Sequence, residues 1–376
     1  MYSLGCLSEL ESVLYSEEDI FRWDESRRAG FQVEAIQSAF GYHYERCAVY
    51  QRFCRNEGIH PSSISSPEDI LRIPLIPSSM FKSMDVRTAP EDEVIMVCRS
   101  SGTRGSVSRV PRDNTTLERF LGSIRKSVEL LIGIPVESRV FNLGPDISEA
   151  GDVWFSYVMS LLHLLRPAEN YVSQGVFSPG RLVEHLRELP PGAVPVLVGP
   201  PIFLQHLMDF LEGRGESLDL DERRGLVITA GGWKSNAKEE IGRDEFLSRC
   251  GERLGLNDRA NVRDAFNMVE LNTVIFECER GVKHIPPWLV VAALDPESLA
   301  PAPPEEMGLL AFFDSTPTSY PGFVLSDDFG RVSDRPCACG RSGPTLEFCR
   351  RVKLVEERGC ALKMERDTIV SSETRA

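Results

Sequence analysis

The chain has 376 residues, of which 42% are hydrophobic and 26% charged, as is typical of a globular protein with one large or two smaller domains. Its net charge of -14 argues against a nucleic-acid-binding protein, which normally carries a basic face. The acidic, amphipathic start and the short apolar runs predict neither a secretory signal nor a membrane span. The 10 cysteines therefore indicate thiols or metal ligands in a cytoplasmic protein.

The N-terminal part of the chain is predicted to be helical. Apolar and aromatic residues recur at helical spacing over residues 6–58 and predict two or three helices. Pro67, followed by acidic residues, predicts a helix start, whereas Pro74 and Pro77 predict extended chain. We assign residues 1–90 to a helical N-terminal region.

From about residue 94, short apolar runs alternate with helical stretches. The predicted strands are 93–98, 138–144, 193–200 and 225–232, and the predicted helices are 115–134, 153–165, 201–215 and 235–255. The helix over 153–165 is interpreted as buried, and Ser235 is the expected N-cap of the last helix. Such alternation implies a largely parallel sheet, with ligands bound beyond the carboxyl ends of the strands. After residue 285 the chain becomes rich in predicted strands.

A loop rich in small residues, SSGTRG (100–105), follows the first of these strands. Its glycines would let backbone amides approach an anion, and its hydroxyl groups could bind phosphate oxygens. The spacing is not that of a Walker loop, and composition alone favours a plain surface connection over a phosphate loop.

Two acidic motifs follow, each ambiguous by itself. Glu270 in AFNMVELN could be a surface residue or an oxygen ligand for magnesium. The aspartate pair in VLSDDFGRV could serve a turn or bind ribose hydroxyls.

Together and in this order, the motifs resemble those of the adenylate-forming (acyl-CoA synthetase) superfamily. SSGTRG resembles its phosphate loop, FNMVE its aromatic-Gly-x-Thr-Glu stretch and SDDFG its Thr-Gly-Asp stretch. CRRVKLVEERG (349–359) resembles its hinge, and SPEDILRIPLIPSSMFK resembles phenylacetate-CoA ligases. With IPLIPSSMFKS, TAGGWKS and a cysteine near the end, the chain is most similar to the acyl-protein synthetase (LuxE-type) branch.

The resemblance implies an α/β fold. The expected architecture is the N-terminal core of an adenylate-forming enzyme, with a helical N-terminal region and a β-rich C-terminal part. Residues 91–348 would form the adenylation core and residues 349–376 the hinge and a short tail. Since few residues follow Gly359, the usual small C-terminal domain is expected to be largely absent.

The resemblance also implies site residues. Glu270 matches a magnesium ligand, Asp328 the ribose-binding aspartate and Arg350 the hinge arginine. The residues that match the phosphate loop and the nucleotide pocket are Ser100, Ser101, Gly102, Thr103, Gly105, Gly231, Gly232, Asn267 and Met268.

Some positions depart from the superfamily pattern. Ser108 stands where many relatives have lysine, Asn267 replaces a glycine and Val269 replaces a threonine, and the hinge lacks its aspartates. The missing threonine hydroxyl removes one expected contact to the α-phosphate and predicts slow adenylation.

Cys360, in ERGCALK, is the candidate nucleophile that the resemblance implies. The neighbouring Arg358 and Lys363 would lower the pKa of its thiol. The alternative is a small residue in a terminal strand.

Cys278, His284, Cys337 and Cys339 form a candidate zinc site of three thiolates and one imidazole. Gly340 would allow a tight knuckle, and Cys349 is a possible replacement ligand. Unpaired core cysteines and a surface histidine are the alternative.

The expected function is ATP- and Mg²⁺-dependent activation of a carboxylic acid, a fatty acid in this branch, as acyl-AMP. The acyl group would then pass to Cys360 and on to a partner, an acyl reductase or another acceptor protein. Two alternatives remain open: a ligase that acylates coenzyme A, a carrier protein or an amine directly, and a non-catalytic nucleotide-binding scaffold. The segment DVWFSYVMSLLHLL (152–165) could line the acid pocket or simply be a core helix.

Overall fold

The computed structural model describes residues 4–101, 107–164, 166–232 and 239–351. The helices of these residues are α1 Leu4–Tyr15, α2 Glu25–Arg46, α3 Ala48–Asn56, α4 Pro67–Ile70, α5 Met80–Ser83, α6 Asn114–Ser127, α7 Ile147–Ala150, α8 Trp154–Ser160, α9 Pro179–Arg187, α10 Pro201–Gly213 and α11 Arg243–Leu254. The strands are β1 Ile76–Pro77, β2 Met96–Arg99, β3 Arg109–Arg112, β4 Ser138–Asn142, β5 Ala168–Asn170, β6 Val172–Ser173, β7 Val176–Phe177, β8 Val194–Gly199, β9 Leu226–Ala230, β10 Val262–Phe266, β11 Ile275–Glu277, β12 Lys283–His284, β13 Leu289–Leu294, β14 Gly308–Asp314, β15 Phe323–Ser333 and β16 Thr345–Arg351.

The predicted α/β fold class is confirmed. The two or three helices predicted over residues 6–58 are α1, α2 and α3. α4 begins at Pro67 because Ser66 and Asp69 form a reciprocal capping box. The predicted extended chain after Pro74 contains β1. No helix in the described ranges is both long and apolar enough to cross a bilayer.

Two predicted helices differ from the structure. α11 begins at Arg243 rather than near Ser235, because residues 239–242 are not helical and Gly242, the N-cap, has an extended backbone (φ -64°, ψ 155°). Ser235 itself lies outside the described residues. The prediction of one buried helix over 153–165 is also wrong, since α8 ends at Ser160 in a 3₁₀ turn and Leu164 is 56% exposed.

The chain divides into two compact units. The first unit comprises the described residues of Met1–Lys126, Met268–Val274 and His284–Ala376, and the second comprises those of Ser127–Asn267 and Ile275–Lys283. The domain boundaries predicted at residues 90 and 348 stay a prediction.

The second unit is built on a parallel sheet, as the alternating pattern predicts. Its strands lie in the order β5-β4-β8-β9-β10, all parallel, and β11 pairs antiparallel with β10. One face of the sheet packs on α9, α10 and α11. In this core, Leu197 of β8 and Val227 of β9 lie in one cluster with Leu207 of α10. The other face packs on Met159 of α8 through Val196 and Ile228. Because both faces are covered, all six residues of β8 are buried.

The first unit contains the antiparallel ladder β13-β14-β15-β16, with β1 pairing parallel to β15. α2 and α3 pack on this ladder through aromatic contacts: the Phe323 ring centroid on β15 lies 5.8 Å from that of Phe40 and 6.0 Å from that of Tyr50. β2 and β3 form a separate antiparallel hairpin.

Candidate functional site

In the second unit, three predicted nucleotide-pocket residues follow the carboxyl ends of neighbouring parallel strands. Gly231 and Gly232 come after β9, and Asn267 comes after β10. Ala230 and Ala265, the residues near those strand ends, are paired across the ladder. Parallel pairing therefore brings the two segments to one edge of the sheet, where ligands bind in open α/β sheets.

Two aromatic residues of α8 contact this edge. Trp154 Nε1 donates a hydrogen bond of 2.7 Å to Asn267 Oδ1. Gly231 has φ +77°, and a Cβ there would lie 3.0 Å from Phe155. Glycine is thus required at 231 both by the backbone conformation and by the approach of Phe155. From sequence, the Trp154 and Phe155 segment was only a candidate lining of the acid pocket.

Below the same edge lies a charged cluster that has no sequence motif. Lys283 Nζ lies 2.8 Å from Asp264 Oδ2 and 3.2 Å from Glu277 Oε1. Arg243 Nη2 donates to Glu277 Oε2 at 2.9 Å, and Thr229 Oγ1 donates to Asp264 Oδ1 at 2.5 Å. Burial lowers the pKa of Lys283, but the two carboxylates outweigh that effect and leave the pKa raised. Lys283 therefore stays charged and ties β10 to β11.

In the first unit, Glu270 lies on a tight turn, two residues after Met268. The Leu271 amide donates a hydrogen bond of 3.0 Å to the Met268 carbonyl oxygen, and both Glu270 and Met268 are buried. Arg112 and Asn272, which sequence reasoning missed, hold this turn through hydrogen bonds within the unit. A buried carboxylate on a rigid turn suits the role of a metal ligand better than that of a surface residue.

Asp328 and Arg350 lie on adjacent strands of the first unit. Asp328 is 1% exposed on β15, and its amide donates to Ser326 Oγ at 3.1 Å. The backbone of Arg350 on β16 pairs with Phe329, the residue after Asp328. The antiparallel ladder thus brings the predicted ribose-binding aspartate and hinge arginine to neighbouring backbone positions.

The predicted phosphate loop connects the two strands of the β2–β3 hairpin. The Ser100 amide donates to the Ser108 carbonyl oxygen, and the Ser108 amide donates back to Ser100 Oγ, each at 3.1 Å. These bonds close the base of the loop, and Ser101 follows directly. The loop residues Gly102, Thr103 and Gly105 lie outside the described residues, as does Cys360.

Three of the predicted zinc ligands meet in the first unit. The ligand atoms of His284, Cys337 and Cys339 lie within 4.8 Å of one another, with His284 Nε2 3.3 Å from Cys339 Sγ. Gly340 has φ +77°, which allows the knuckle, and the Arg341 amide donates to Cys339 Sγ at 3.5 Å.

Cys278 lies in a tight turn of the second unit, where the Arg280 amide donates to Cys278 Sγ at 3.4 Å. Such amide donors stabilise thiolate sulfurs, so the donor chemistry fits zinc. Cys349 is exposed on β16.

Two segments of the first unit support this cluster. Arg28 on α2 donates to the carbonyl oxygens of Ile285 at 3.2 Å and Ser342 at 3.5 Å, which follow His284 and Cys339 in the chain. The Phe21 ring packs edge-on against the His284 ring, with centroids 5.8 Å apart. Sequence reasoning missed both residues.

Comparison with known proteins gives relatives over nearly the whole chain. Two curated proteins named long-chain-fatty-acid–luciferin-component ligase are similar to it. The protein from Aliivibrio fischeri is 33% identical over 360 residues (95% of this chain, 93% of the relative). That from Vibrio harveyi is 34% identical over 345 residues (91% and 89%).

Among solved structures, an open conformation of 2-hydroxyisobutyryl-CoA ligase, in complex with 2-HIB-AMP and CoA, matches with a TM-score of 0.65. The two sequences are 18% identical, and the match covers 89% of this chain and 81% of the ligase. This similarity establishes the adenylate-forming fold. The sequence profile named acyl-protein synthetase, LuxE, matches residues 3–368. The chain therefore belongs to the acyl-protein synthetase (LuxE) family.

Proposed function

We propose that this protein activates a long-chain fatty acid with ATP as an acyl-adenylate and then transfers the acyl group to a thiol. The main support for the proposal is the match to the LuxE family over residues 3–368. This range contains all the adenylation motifs. The names of the two curated relatives support the class of substrate. A cytoplasmic location is part of the same proposal.

In the first step, a carboxylate oxygen of the acid bonds to the α-phosphorus of ATP, and the bond to pyrophosphate breaks. Both reactants are anions, so Mg²⁺ would supply charge neutralisation on the phosphates. We assign the phosphates to the loop that begins at Ser100 and Ser101, and the metal to Glu270. Asp328 would accept hydrogen bonds from the ribose hydroxyls, and Arg350 would add positive charge beside them.

We assign adenine binding to the second unit. Gly231, Gly232 and Asn267 stand at the carboxyl edge of its sheet, and Trp154 holds the Asn267 side chain. The bulk of Phe155 against Gly231 would limit the space there.

In the second step, the Cys360 thiolate would attack the carbonyl carbon of the acyl-adenylate and release AMP. The acyl group would then pass from the thioester to an acceptor protein. The relatives are named for a luciferin component as acceptor, and an acyl reductase fits the chemistry. Arg358 and Lys363 flank Cys360 and favour its thiolate.

We assign a structural Zn²⁺ to Cys278, His284, Cys337 and Cys339. Three thiolates and one imidazole fill a tetrahedral site, which leaves no open position for catalysis. The chemistry of the donors and the sulfur-bound amides support this assignment. Its role would be to hold the segments that carry these ligands.

Pyrophosphate release and intact-protein mass test the function together. The protein is incubated with ATP, Mg²⁺ and fatty acids of different length. We expect pyrophosphate release and a hydroxylamine-labile mass gain of one acyl group. Cys360→Ser should release pyrophosphate but lose the mass gain, whereas Cys349→Ser, a change at an exposed cysteine, should behave like the wild type.

Two outcomes would contradict the proposal. Absence of pyrophosphate with every acid would favour a nucleotide-binding scaffold. Pyrophosphate with unchanged protein mass, and acyl-CoA formed when coenzyme A is added, would favour a ligase that acylates coenzyme A directly.

A further inference from the structure

Arg112, the last residue of β3, is fully buried in the first unit and binds the segment that carries Glu270. Its Nη2 donates a hydrogen bond of 2.5 Å to the Val269 carbonyl oxygen, and its Nη1 donates one of 2.6 Å to Asn272 Oδ1. One guanidinium thus contacts the backbone directly before Glu270 and a side chain two residues after it.

Asn272 in turn donates hydrogen bonds to two other segments. Its Nδ2 donates to the Thr116 carbonyl oxygen on α6 at 3.0 Å and to Thr316 Oγ1 at 3.1 Å. Thr316 follows β14, where its amide donates to Asp314 Oδ1 at 2.9 Å. Hydrogen bonds therefore connect the Glu270 turn to β3, to α6 and to the segment after β14.

The side chain of Tyr320 also binds the same guanidinium. Arg112 Nη1 donates to the Tyr320 hydroxyl at 3.0 Å, and the guanidinium carbon lies 5.0 Å from the ring centroid. Burial raises the pKa of Tyr320; Arg112 opposes that rise, while the carboxylates of Asp314 and Glu270 add to it. The Tyr320 hydroxyl thus further fixes the orientation of the Arg112 guanidinium.

We propose that Arg112 is a positioning residue for adenylation, which holds Glu270 in the orientation that binds the Mg²⁺ of ATP. This rests on the proposed function, in which Glu270 is the magnesium ligand. Arginine suits the task because its planar group offers several N–H donors in fixed directions, so that it can bind Val269 and Asn272 together. Lysine has one charged nitrogen and cannot reproduce that geometry.

A purely structural role would give a different result from a positioning role, and a matched variant separates the two. Arg119 on α6 is also a buried arginine of the first unit, with its Nη1 3.4 Å from the Thr316 carbonyl oxygen and its Nη2 3.0 Å from Glu11 Oε1. Arg119→Met therefore removes a buried guanidinium of the same size without removing a hydrogen bond to residues 268–274. Thermal unfolding shows how far each variant is destabilised.

The test compares binding of a non-hydrolysable ATP analogue, α,β-methylene-ATP, with Mn²⁺ and with EDTA, by calorimetry. Arg112→Met should weaken binding of the Mn²⁺ complex by about tenfold or more, the usual effect of losing a residue that orients a metal ligand. Binding in EDTA should change little. Arg112→Lys should resemble Arg112→Met, and Arg119→Met should keep the wild-type ratio of the two affinities.

Pyrophosphate release measured against Mg²⁺ concentration is the second readout. For Arg112→Met we expect the half-saturating Mg²⁺ concentration to rise, again by about tenfold. The positioning role would be overturned if Arg112→Met weakened binding of the analogue equally with Mn²⁺ and with EDTA, or if Arg119→Met shifted the Mg²⁺ dependence as much as Arg112→Met does. The proposed function would still stand in that case, provided that the wild-type protein releases pyrophosphate. A wild-type protein that neither binds the analogue nor releases pyrophosphate would overturn both.

Discussion

At the residue scale, the two adjacent glycines after β9 have different constraints. Gly231 has φ +77° and lies against Phe155, whereas a Cβ at Gly232 would meet no atom within 4 Å. The motif TAGG shows the pair but not which glycine the backbone requires.

Gly231→Ala should therefore be destabilising, by about 1–3 kcal/mol, because alanine is strained at positive φ and meets Phe155. Gly232→Ala should cost much less. Urea unfolding measures both, and pyrophosphate release against ATP concentration should show a raised KM for the first variant. Equal free energies of unfolding for the two variants would contradict this interpretation.

Motif matching could find residues that are close in the chain, but not those that act from a distance. Glu270 and Asp328 were predicted from short motifs, and the structure buries both residues, Glu270 on a turn and Asp328 within β15. Arg112 was missed because it binds Asn272, 160 positions away. Trp154 was missed as a partner of Asn267 for the same reason, since they are 113 positions apart.

At the element scale, the predicted zinc knuckle depends on a helix remote in sequence. Arg28 of α2 donates hydrogen bonds to the segments that follow His284 and Cys339. Burial lowers the pKa of Arg28 to about 10, so the guanidinium remains charged at neutral pH. α2 thus fixes the position of both ligand segments.

Arg28→Met should speed the loss of bound zinc to a chelator by about tenfold, because outer residues orient metal ligands. Release is followed with a chromogenic chelator on the metal-loaded protein. The neighbouring Arg27, an exposed residue that pairs with Glu18, provides the control, since Arg27→Met should release zinc at the wild-type rate. Identical rates for both variants would exclude the anchoring role of α2.

Element types were predicted better than element bounds. Apolar periodicity identified β8, β9 and α10 because their burial is continuous or one-sided along the chain. The start of α11 was misplaced because the helix-forming residues before Gly242 do not show that this glycine is extended. The exposure of Leu164 also depends on what packs nearby, which composition cannot show.

At the scale of the whole molecule, one buried histidine couples stability to pH. His43 on α2 is fully buried, with Nδ1 2.8 Å from Thr88 Oγ1 and Nε2 3.1 Å from the Pro317 carbonyl oxygen. Burial lowers its pKa from 6.5 to about 3. The folded protein therefore keeps this imidazole neutral where the unfolded chain protonates it.

Because the folded pKa lies below the unfolded one, His43 should destabilise the fold as pH falls below about 6.5, and the loss should continue towards pH 3. The slope is about 1.4 kcal/mol per pH unit. Urea unfolding between about pH 6.5 and 5, above most carboxyl pKa values, should show this slope in the wild type and a smaller one in His43→Gln. His60→Gln, at an exposed histidine, should keep the wild-type slope.

The fold class, the family and the order of the adenylation motifs could all be predicted before folding was considered, because strand and helix patterns and short motifs are local properties of the chain. Tertiary structure alone decided which buried groups support those motifs. Arg112 reaches the Glu270 turn, Arg28 reaches the zinc ligands and Trp154 reaches Asn267. These contacts join segments far apart in the chain, and their hydrogen bonds depend on burial and distance that only folding produces.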